Sequence, residues 1–267
     1  MTQLIKSPTN PRVKSIVRLR NRRERDETGA FVVEGIAEVR KAMDSHVECL
    51  ELFATQDVSE DLLGDAFDLE IRAFRTSDEA FGKMAYRSTG ALLVARQFDT
   101  SLESMPSGSL YLICEAIEKP GNLGTMIRTA EGVGVDGVII CDPTIDVFNP
   151  NVVRASVGTM LWVPLAVATT AEAIQWCASG GIQTVAASPE ASQRYDQADL
   201  RPPSALIIGA EHKGLSPDLI TAADVSVRIP MQGHGDSLNA AASAAVMLYE
   251  AVRQRSQTKT LISNTRS

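Results

Sequence analysis

Three short segments in the second half of the chain place polar side chains beside glycines. They are residues 120–128 (PGNLGTMIR), residues 209–215 (GAEHKGL) and residues 229–239 (IPMQGHGDSLN). Glycine lets a backbone approach a ligand closely, and polar side chains in turns are free to converge on it. Together the three segments predict one small-molecule pocket.

In the first segment, Asn122 and Arg128 lie six residues apart. A helix that begins near Asn122 places the amide in its first turn and Arg128 nearly two turns further on. The N–H groups of a helix N-terminus attract an anion or a sugar oxygen, and an arginine adds a permanent bidentate donor. The alternative is an asparagine that caps the helix and an ordinary surface arginine in an ion pair.

The second segment directly follows the apolar run 205–208. If that run is a strand, Gly209 and Glu211 lie where open α/β sheets bind ligands, outside the carboxyl ends of their strands. A strand-to-loop turn also needs glycine for its geometry, so this segment alone does not identify a site.

In the third segment, Ser237 and Asn239 flank Leu238 at the predicted start of the last helix. Free backbone N–H groups and two polar side chains there face whatever occupies the crevice. The alternative is helix-cap chemistry, with Asp236 or Ser237 as the N-cap.

The elements that position these segments form two predicted domains. Apolar strands at 110–114, 138–141, 184–187 and 205–208 alternate with helical stretches, which predicts an α/β domain with a parallel sheet covered on both faces. The polar stretch 99–109 is the predicted linker. Before it lies a smaller α/β domain, with strands at 31–33, 49–54 and 91–96 and helices at 36–43 and 78–86. The domain boundaries are therefore 1–98, 99–109 and 110–267, with a last helix over about 238–253 and a loose tail from about residue 256.

Composition narrows the class of protein. The chain has 267 residues, of which 44% are hydrophobic and 22% charged, as expected of a globular protein of about two domains. No apolar run reaches the length of a membrane span and no secretory signal is visible, so we expect a cytoplasmic protein without a membrane partner. The four cysteines lie far apart without a C-x-x-C pair, and neither they nor the three histidines have metal-ligand spacing, so no metal site is expected.

The charge is unevenly distributed. The net charge is −7, but the first 25 residues carry eight basic side chains and one acidic side chain, a net +7, so the remainder carries −14. A cationic patch of this kind neutralises phosphates, while the acidic remainder confines nucleic acid to one face. The alternative is a solvated amphipathic helix, because Val13, Ile16, Val17 and Leu19 also form an apolar face.

The three segments occur in a recognisable order, with residues 149–158 (NPNVVRASVG) between the first and the second. In this arrangement, residues 110–255 closely resemble the SpoU (TrmH) branch of the SPOUT RNA methyltransferases. Residues 10–14 (NPRVK) and 31–35 (FVVEG) are similar to the RNA-recognition domain of the ribosomal-protein L30e type that many of these enzymes carry. The resemblance implies a deep trefoil knot, S-adenosylmethionine as cofactor, and a homodimer whose active sites are each completed by the partner chain.

The resemblance also implies methyl transfer to a ribose 2′-oxygen of RNA, and roles for individual residues. The cofactor-binding positions are Gly209, Ile229 and Leu238. The catalytic or near-catalytic positions are Asn122, Arg128, Glu211, Ser237 and Asn239. The unequal charge makes Arg12, Arg18, Arg20, Arg22 and Arg23 RNA-binding candidates. Arg154 falls on a segment of the family pattern, where it contacts either the RNA backbone or the dimer partner.

Arg128 and Glu211 each allow more than one role. Arginine stays protonated in proteins, so we expect Arg128 to act as an electrostatic clamp rather than as a general base. Glu211 either pairs with Arg128 or braces its own loop. The neighbouring His212 departs from the small residue frequent at this place in the family, and we interpret it as a local variation.

The expected substrate is ribosomal RNA. A transfer-RNA target is the alternative among enzymes, and a non-catalytic RNA-binding or ribosome-assembly factor is the alternative from another class. A nucleotide-binding oxidoreductase is disfavoured, because no G-x-G-x-x-G follows a strand with an acidic residue about twenty positions on.

Overall fold

The computed structural model describes residues 3–86, 90–211 and 213–264, with side chains to residue 257. It divides into two compact units. Unit 1 comprises residues 1–98 and 146–162, and unit 2 comprises residues 99–145 and 163–267. Among the described residues, no helix combines the length and the apolar character needed to cross a bilayer.

Unit 1 contains a mixed five-stranded sheet. Its strands are β1 (Gln3–Ile5), β2 (Ala30–Glu34), β3 (Cys49–Ala54), β4 (Arg72–Thr76) and β5 (Ala91–Arg96), in the order β1-β4-β3-β5-β2. The pairs β1–β4 and β4–β3 are parallel, whereas β5 runs antiparallel to both β3 and β2. Its first five helices are α1 (Pro11–Arg18), α2 (Arg22–Thr28), α3 (Ile36–Met43), α4 (Glu60–Asp68) and α5 (Asp78–Met84).

Helix α1 shows why the basic N-terminus folds as it does. Asn10 caps the helix by accepting from the backbone N–H of Arg12, and Pro11 occupies the first helical position, where no N–H is needed. Val13 and Ile16 are buried in the core of unit 1. The apolar face predicted for this helix is therefore confirmed, and its arginines project from the other side.

Unit 2 contains a seven-stranded sheet in which every pair of neighbours is parallel. Its strands are β6 (Leu110–Glu115), β7 (Gly137–Cys141), β8 (Leu165–Ala168), β9 (Gln183–Ala187), β10 (Gln193–Arg194), β11 (Ser204–Ile208) and β12 (Val225–Arg228), in the order β10-β12-β9-β11-β6-β7-β8. The central strands β6, β7 and β11 are buried at every position, as expected for a parallel sheet covered on both faces. The predicted parallel sheet is confirmed, while the trefoil knot stays a prediction.

Two helices of unit 2 begin at the polar segments. They are α6 (Pro120–Val133) and α10 (Ala240–Asn264), and they pack against each other. The described part of unit 2 also contains α8 (Thr170–Ser179) and α9 (Pro217–Ala222). The N-cap expected for α10 at Asp236 or Ser237 is wrong. The Asn239 side chain accepts from the backbone N–H groups of Ala241 and Ala242 at 2.9 and 3.3 Å, so it caps the helix.

Helix α10 also continues past residue 253, through residues that we expected to form a loose tail. Side-chain hydrogen bonds of Gln254 and Arg255, which the polar sequence of this stretch does not indicate, hold the helix there. Gln254 bonds the backbone of Ala198 and Leu200, and the Arg255 guanidinium donates to the carbonyls of Leu200, Pro202 and Ser109. These bonds hold the chain in helical register where apolar periodicity ends.

Residues 146–162 belong to unit 1, although the sequence places them within the second domain. They include α7 (Pro150–Ala155). Phe148 packs on Phe31 and Phe98 with ring centroids 5.0 Å apart in both cases. The Lys41 ammonium donates to the carbonyl of Val157 at 2.7 Å. This segment is thus an integral part of the hydrophobic and polar framework of unit 1.

A buried ion pair joins the same segment to the N-terminal basic region. The Arg25 side chain is 1% exposed and its guanidinium lies 2.5 Å from a carboxylate oxygen of Asp146, which is 10% exposed. The guanidinium also donates to the carbonyl of Leu19 at 2.7 Å. Arg25 therefore contributes to the framework of the unit, and not to the cationic surface to which the charge count assigns it.

We expect Arg25→Met to lower the free energy of unfolding by roughly 3 kcal/mol or more, because it leaves the Asp146 carboxylate buried without its partner. Urea denaturation of the full chain measures this loss. Arg23→Met is the matched control, since Arg23 pairs with Glu27 on the exposed face of α2 and such pairs contribute well under about 1 kcal/mol. Equal losses for the two variants would contradict the assignment of Arg25 as a buried framework residue.

The cysteines are free thiols, three of them buried and Cys49 half-buried. Burial raises the pKa of Cys49 to about 11 and that of Cys177 to about 12, and it raises the pKa values of Cys114 and Cys141 further. Thiols in this state are poor nucleophiles and poor metal ligands. They pack as small apolar groups.

Candidate functional site

Side chains from all three glycine-bearing segments, or directly beside them, meet in unit 2. The Asn239 amide donates to the amide oxygen of Asn122 at 3.1 Å and to the carboxylate of Glu211. The same carboxylate forms a salt bridge with Lys119, 92 positions away in the sequence. Lys119, Asn122, Glu211 and Asn239 form a polar cluster, and three of its four members are predicted site residues.

Local sequence explains the place of each side chain. Pro120 takes the first position of α6, and Lys119 is the cap residue but provides no side-chain cap. The alternative that Asn122 caps this helix is therefore wrong, and its amide is available to Asn239. Asn239 caps α10 with its oxygen, so its NH₂ group points back to the other two segments.

The loop after β11 closes on itself at its glycines. Ala210 and Gly214 exchange backbone hydrogen bonds of 3.1 and 2.9 Å. A Cβ atom on Gly209 would lie 2.4 Å from the carbonyl oxygen of Gly214 and 2.6 Å from the backbone nitrogen of Leu215. Gly209 is thus required by the tight turn itself, and the turn holds Glu211 at the cluster. His212 lies outside the described residues.

The cluster keeps Glu211 ionised. The hydrogen bond from Lys119 is the main cause that lowers the pKa of the Glu211 carboxyl below its ordinary value, the Asn122 amide adds to it, and desolvation opposes both. Because the folded-state pKa is lowered, the stabilisation from this contact is present above the ordinary carboxyl pKa of about 4.3 and is lost only as the pH falls through the folded value. At neutral pH Glu211 is a fixed anion that braces its loop, and its cation is Lys119 rather than Arg128.

We expect Glu211→Gln to lower the rate of the methyl transfer that the sequence resemblance implies about tenfold, without changing the form of its pH dependence between about pH 6 and 9. The glutamine keeps an acceptor for Asn239 but releases Lys119. Measuring kcat/KM across this range for both proteins tests the expectation. Lys119→Met should reproduce the loss, since it breaks the same contact from the other side. If kcat/KM of the parent protein falls towards low pH and this fall is absent in Glu211→Gln, Glu211 is a titrating base instead.

Arg128 and Ser237 stand apart from this cluster. Arg128 projects from α6 into solvent, and within the described residues neither side chain forms a hydrogen bond or an ion pair. A guanidinium with all its N–H groups unused beside a helix face is available to an anionic ligand. The structure therefore leaves Arg128 as a free cation, and not as half of the surface ion pair that we considered as the alternative.

The segment between β12 and α10 fits the adenosine half of a cofactor. Ile229 and Leu238 are half-buried, whereas residues 231–237 are exposed. Within the described part of the chain, residues 229–238 form no backbone–backbone hydrogen bonds. Open backbone donors and acceptors beside two apolar side chains match the needs of adenine, a flat base with hydrogen-bonding groups at its edge.

Glu115 is a supporting residue that the sequence analysis missed. It ends β6, is 4% exposed, and accepts from the backbone N–H and the hydroxyl of Ser216 at 2.8 and 2.5 Å. Thr170 donates to it as well, at 3.2 Å. Glu115 thereby fixes the end of the 209–216 loop to the central strand. It also lines a cavity of about 680 Å³ between α8 and α9, which none of the predicted site residues line.

The predicted RNA-binding arginines of the N-terminal region have different surroundings. Arg12 pairs with Glu51 and packs over the ring of Phe74 at 4.5 Å. Arg22 and Arg23 are exposed and pair along α2 with acidic residues one turn on. Arg18 is exposed and has no ion-pair partner among the described residues. Three of these four arginines thus remain accessible to phosphate, because exposed helix pairs exchange readily with other anions.

Arg20 and Arg154 meet at one side chain in unit 1. Their guanidinium carbons lie 5.4 and 4.2 Å from the centre of the Tyr86 ring. Arg154 projects from α7, and its guanidinium also donates to the Asn151 side chain at 2.8 Å. No sequence pattern indicates this meeting, because Tyr86 follows α5 in the first part of the chain and Arg154 lies on α7.

Comparison with known proteins agrees with this geometry. Residues 109–249 match the model of the SpoU rRNA methylase family, and residues 10–95 match that of the MRM3-like substrate binding domain. The chain is 27% identical over 245 residues to the 23S rRNA (guanosine(2553)-2′-O)-methyltransferase of Bacillus subtilis, covering 92% of this chain and 97% of that protein. It is 30% identical over 253 residues to the 23S rRNA (uridine(2479)-2′-O)-methyltransferase of Streptomyces viridochromogenes, covering 89% and 87%.

Solved structures extend the similarity to the fold. The AdoMet-bound rRNA methyltransferase of Sinorhizobium meliloti superposes with a TM-score of 0.87 at 31% identity, over 94% of this chain and 98% of that one. At 94% coverage of this chain, the similarity runs through both units.

Proposed function

Because the chain belongs to the SpoU rRNA methylase family, we propose that it transfers a methyl group from S-adenosylmethionine to a ribose 2′-oxygen of ribosomal RNA. The observation that carries the proposal is the meeting of Asn122, Glu211 and Asn239, which come from three separate segments. Asn122 also shares helix α6 with the unpaired Arg128. The similarity over nearly the whole length to two 23S rRNA 2′-O-methyltransferases supports the substrate class.

Three residues would hold the adenosine part of the cofactor. Gly209 keeps the β11 loop tight, and Ile229 and Leu238 supply apolar surface beside open backbone groups. When bound, S-adenosylmethionine supplies a methyl group that its sulfonium has already activated. The protein is therefore left with the tasks of placing the ribose hydroxyl and stabilising its charge.

Arg128 is the residue proposed to stabilise that charge. Its guanidinium cannot accept the hydroxyl proton, since arginine stays protonated. It can hold the adjacent phosphate and favour the developing alkoxide, so that the proton passes to solvent. Asn122 and Asn239 offer amide groups that orient the ribose, Ser237 adds an exposed hydroxyl, and ionised Glu211 fixes both amides.

Unit 1 is proposed to bind the RNA. Arg12, Arg18, Arg22 and Arg23 lie along the first two helices of the unit, and the match to a substrate-binding domain supports this role. We propose that RNA binding lies in unit 1, residues 1–98 with 146–162, and that methyl transfer lies in unit 2, residues 99–145 with 163–267. A cytoplasmic homodimer completes the proposal, in keeping with a ribosomal substrate.

Mass-spectrometric mapping of ribose methylation tests this function. Ribosomal and transfer RNA are compared between cells with and without the protein, and the purified enzyme with labelled S-adenosylmethionine is used to restore the mark. We expect one 2′-O-methyl group of ribosomal RNA to disappear and to be restored. A mark lost from transfer RNA alone would reassign the substrate. No lost mark in either RNA would favour a non-catalytic role in RNA binding or ribosome assembly.

A further inference from the structure

Tyr86 is an exposed aromatic residue on a rigid support. Its side chain is 53% exposed, directly after the end of α5. Its backbone N–H donates to both carboxylate oxygens of Glu34 at 3.1 and 3.0 Å. The ring is therefore held at the surface by its backbone, although the side chain itself is half open to solvent.

Two guanidinium groups lie over the ring in cation–π contact, and each is fixed by other contacts. Arg20 donates to the carbonyls of Lys83, Met84 and Ala85 at 3.1 to 3.4 Å, which places its charge at the C-terminal end of α5. Arg154 is held by Asn151 and comes closest to the ring. These bonds use one terminal nitrogen of each guanidinium, so donors remain for an incoming anion.

Other exposed aromatic residues of unit 1 lack this combination. Phe67 is 81% exposed on α4, but no cation borders its ring among the described residues. Trp162 is also exposed, yet its indole N–H is already used by the carbonyl of Lys41 at 3.1 Å. Within the described part of unit 1, Tyr86 alone combines an open ring with arginines that project from two distant parts of the sequence.

A half-exposed aromatic ring with guanidinium groups over it has a specific chemical match. Unpaired nucleotides stack a base on an aromatic ring or on a guanidinium plane and place their phosphates on the cations, whereas bases in a duplex are stacked on one another and present no free face. The net charge of the site is positive, which opposes a cationic partner and favours a phosphate chain.

We propose that Tyr86, with Arg20 and Arg154, binds an unpaired nucleotide of the substrate RNA. The inference rests on the proposed function, because it specifies the form of the RNA that the enzyme accepts. It also assigns Arg154 to RNA rather than to a partner subunit.

Equilibrium binding by the full-length protein tests the inference with two RNA probes of equal length. One is a hairpin with an unpaired loop, and the other is a continuous duplex. We expect Tyr86→Ala to weaken binding of the hairpin about tenfold and binding of the duplex less than twofold. Tyr86→Phe should bind both like the parent protein, because it keeps the ring. Phe67→Ala is the matched control and should change neither.

Arg154→Gln is a second variant with a different signature. We expect it to weaken hairpin binding and to lower the slope of log affinity against log salt by about one, whereas Tyr86→Ala should leave that slope unchanged. If Tyr86→Ala proves unstable in a thermal melt, Tyr86→Leu preserves an apolar side chain of similar reach and takes its place.

The proposal is overturned if Tyr86→Ala weakens both probes equally, or neither, or if it changes only the oligomeric state, which would make this face a protein contact. Methylation of extracted ribosomal RNA by the parent protein is measured alongside. If the parent protein transfers methyl groups but Tyr86→Ala leaves RNA affinity unchanged, this inference alone is refuted. Absence of both transfer and RNA binding in the parent protein refutes the proposed function together with it.

Discussion

Arg128→Ala is expected to reduce methyl transfer by about 10² to 10³ while leaving the affinity for S-adenosylmethionine within about twofold. The side chain is exposed and forms no hydrogen bond or ion pair with a described residue, so its removal should not disturb the fold or the cofactor site. The size of the loss is that found when a single preorganised donor is removed from a developing oxyanion. Single-turnover rates and calorimetric cofactor titrations on the same preparation separate the two quantities.

Arg128→Lys provides the matched control for charge. A lysine keeps the positive charge but not the planar pair of donors, so we expect it to recover only part of the lost rate. Full recovery would mean that charge alone is needed. A fall in cofactor affinity as large as the fall in rate would instead place Arg128 in the cofactor pocket, and the clamp assignment would be abandoned.

Gly209→Ala is expected to cost at least tenfold in cofactor affinity and to lower the thermal midpoint. The added Cβ would meet the backbone of Gly214 and Leu215 at 2.4 to 2.6 Å, and backbone atoms cannot move aside as a flexible side chain can. The loop must therefore open, which breaks the bonds between Ala210 and Gly214 and displaces Glu211 from Asn239.

Gly132→Ala is the control for this substitution. Gly132 lies on the exposed side of α6, and a Cβ there meets nothing within 4 Å. Alanine in a helix is favoured over glycine by up to about 1 kcal/mol, so the control should be as stable as the parent protein or slightly more so. If Gly209→Ala bound the cofactor as tightly as Gly132→Ala did, the tight turn would have no role in the cofactor site.

Much of the fold follows from local patterns. The limits of α3, β3 and β5 agree with those predicted, because each is a compact apolar stretch between turn residues. Strands β1, β4, β8, β10 and β12 were missed. In β4 the apolar pair Ala73 and Phe74 is flanked by arginines, and the other four strands have two to four residues, so none gives a long enough pattern to distinguish it from a loop.

The site was predictable only in part. The positions of Asn122, Glu211 and Asn239 follow from motifs, because each motif marks a helix or loop end that faces the same edge of the sheet. Lys119 was missed because its partner is distant in sequence and a basic residue before a proline has no distinctive pattern. The roles of Arg20, Arg25 and Arg154 could not be separated by charge counting, since burial and aromatic contacts distinguish them and neither is visible in composition.

The assignment of residues 146–162 to unit 1 limits how this protein can be divided or recombined. The backbone passes from one unit to the other after Phe98, after Ile145 and after Trp162. A fragment that ends at Phe98 keeps Arg25 and Phe31. It loses the Asp146 carboxylate that pairs with Arg25 and the Phe148 ring that packs on Phe31. Residues 1–98 are therefore not an independently folding fragment. A single crossover between two relatives would combine residues 1–98 of one parent with residues 146–162 of the other, so these two stretches have to come from the same parent.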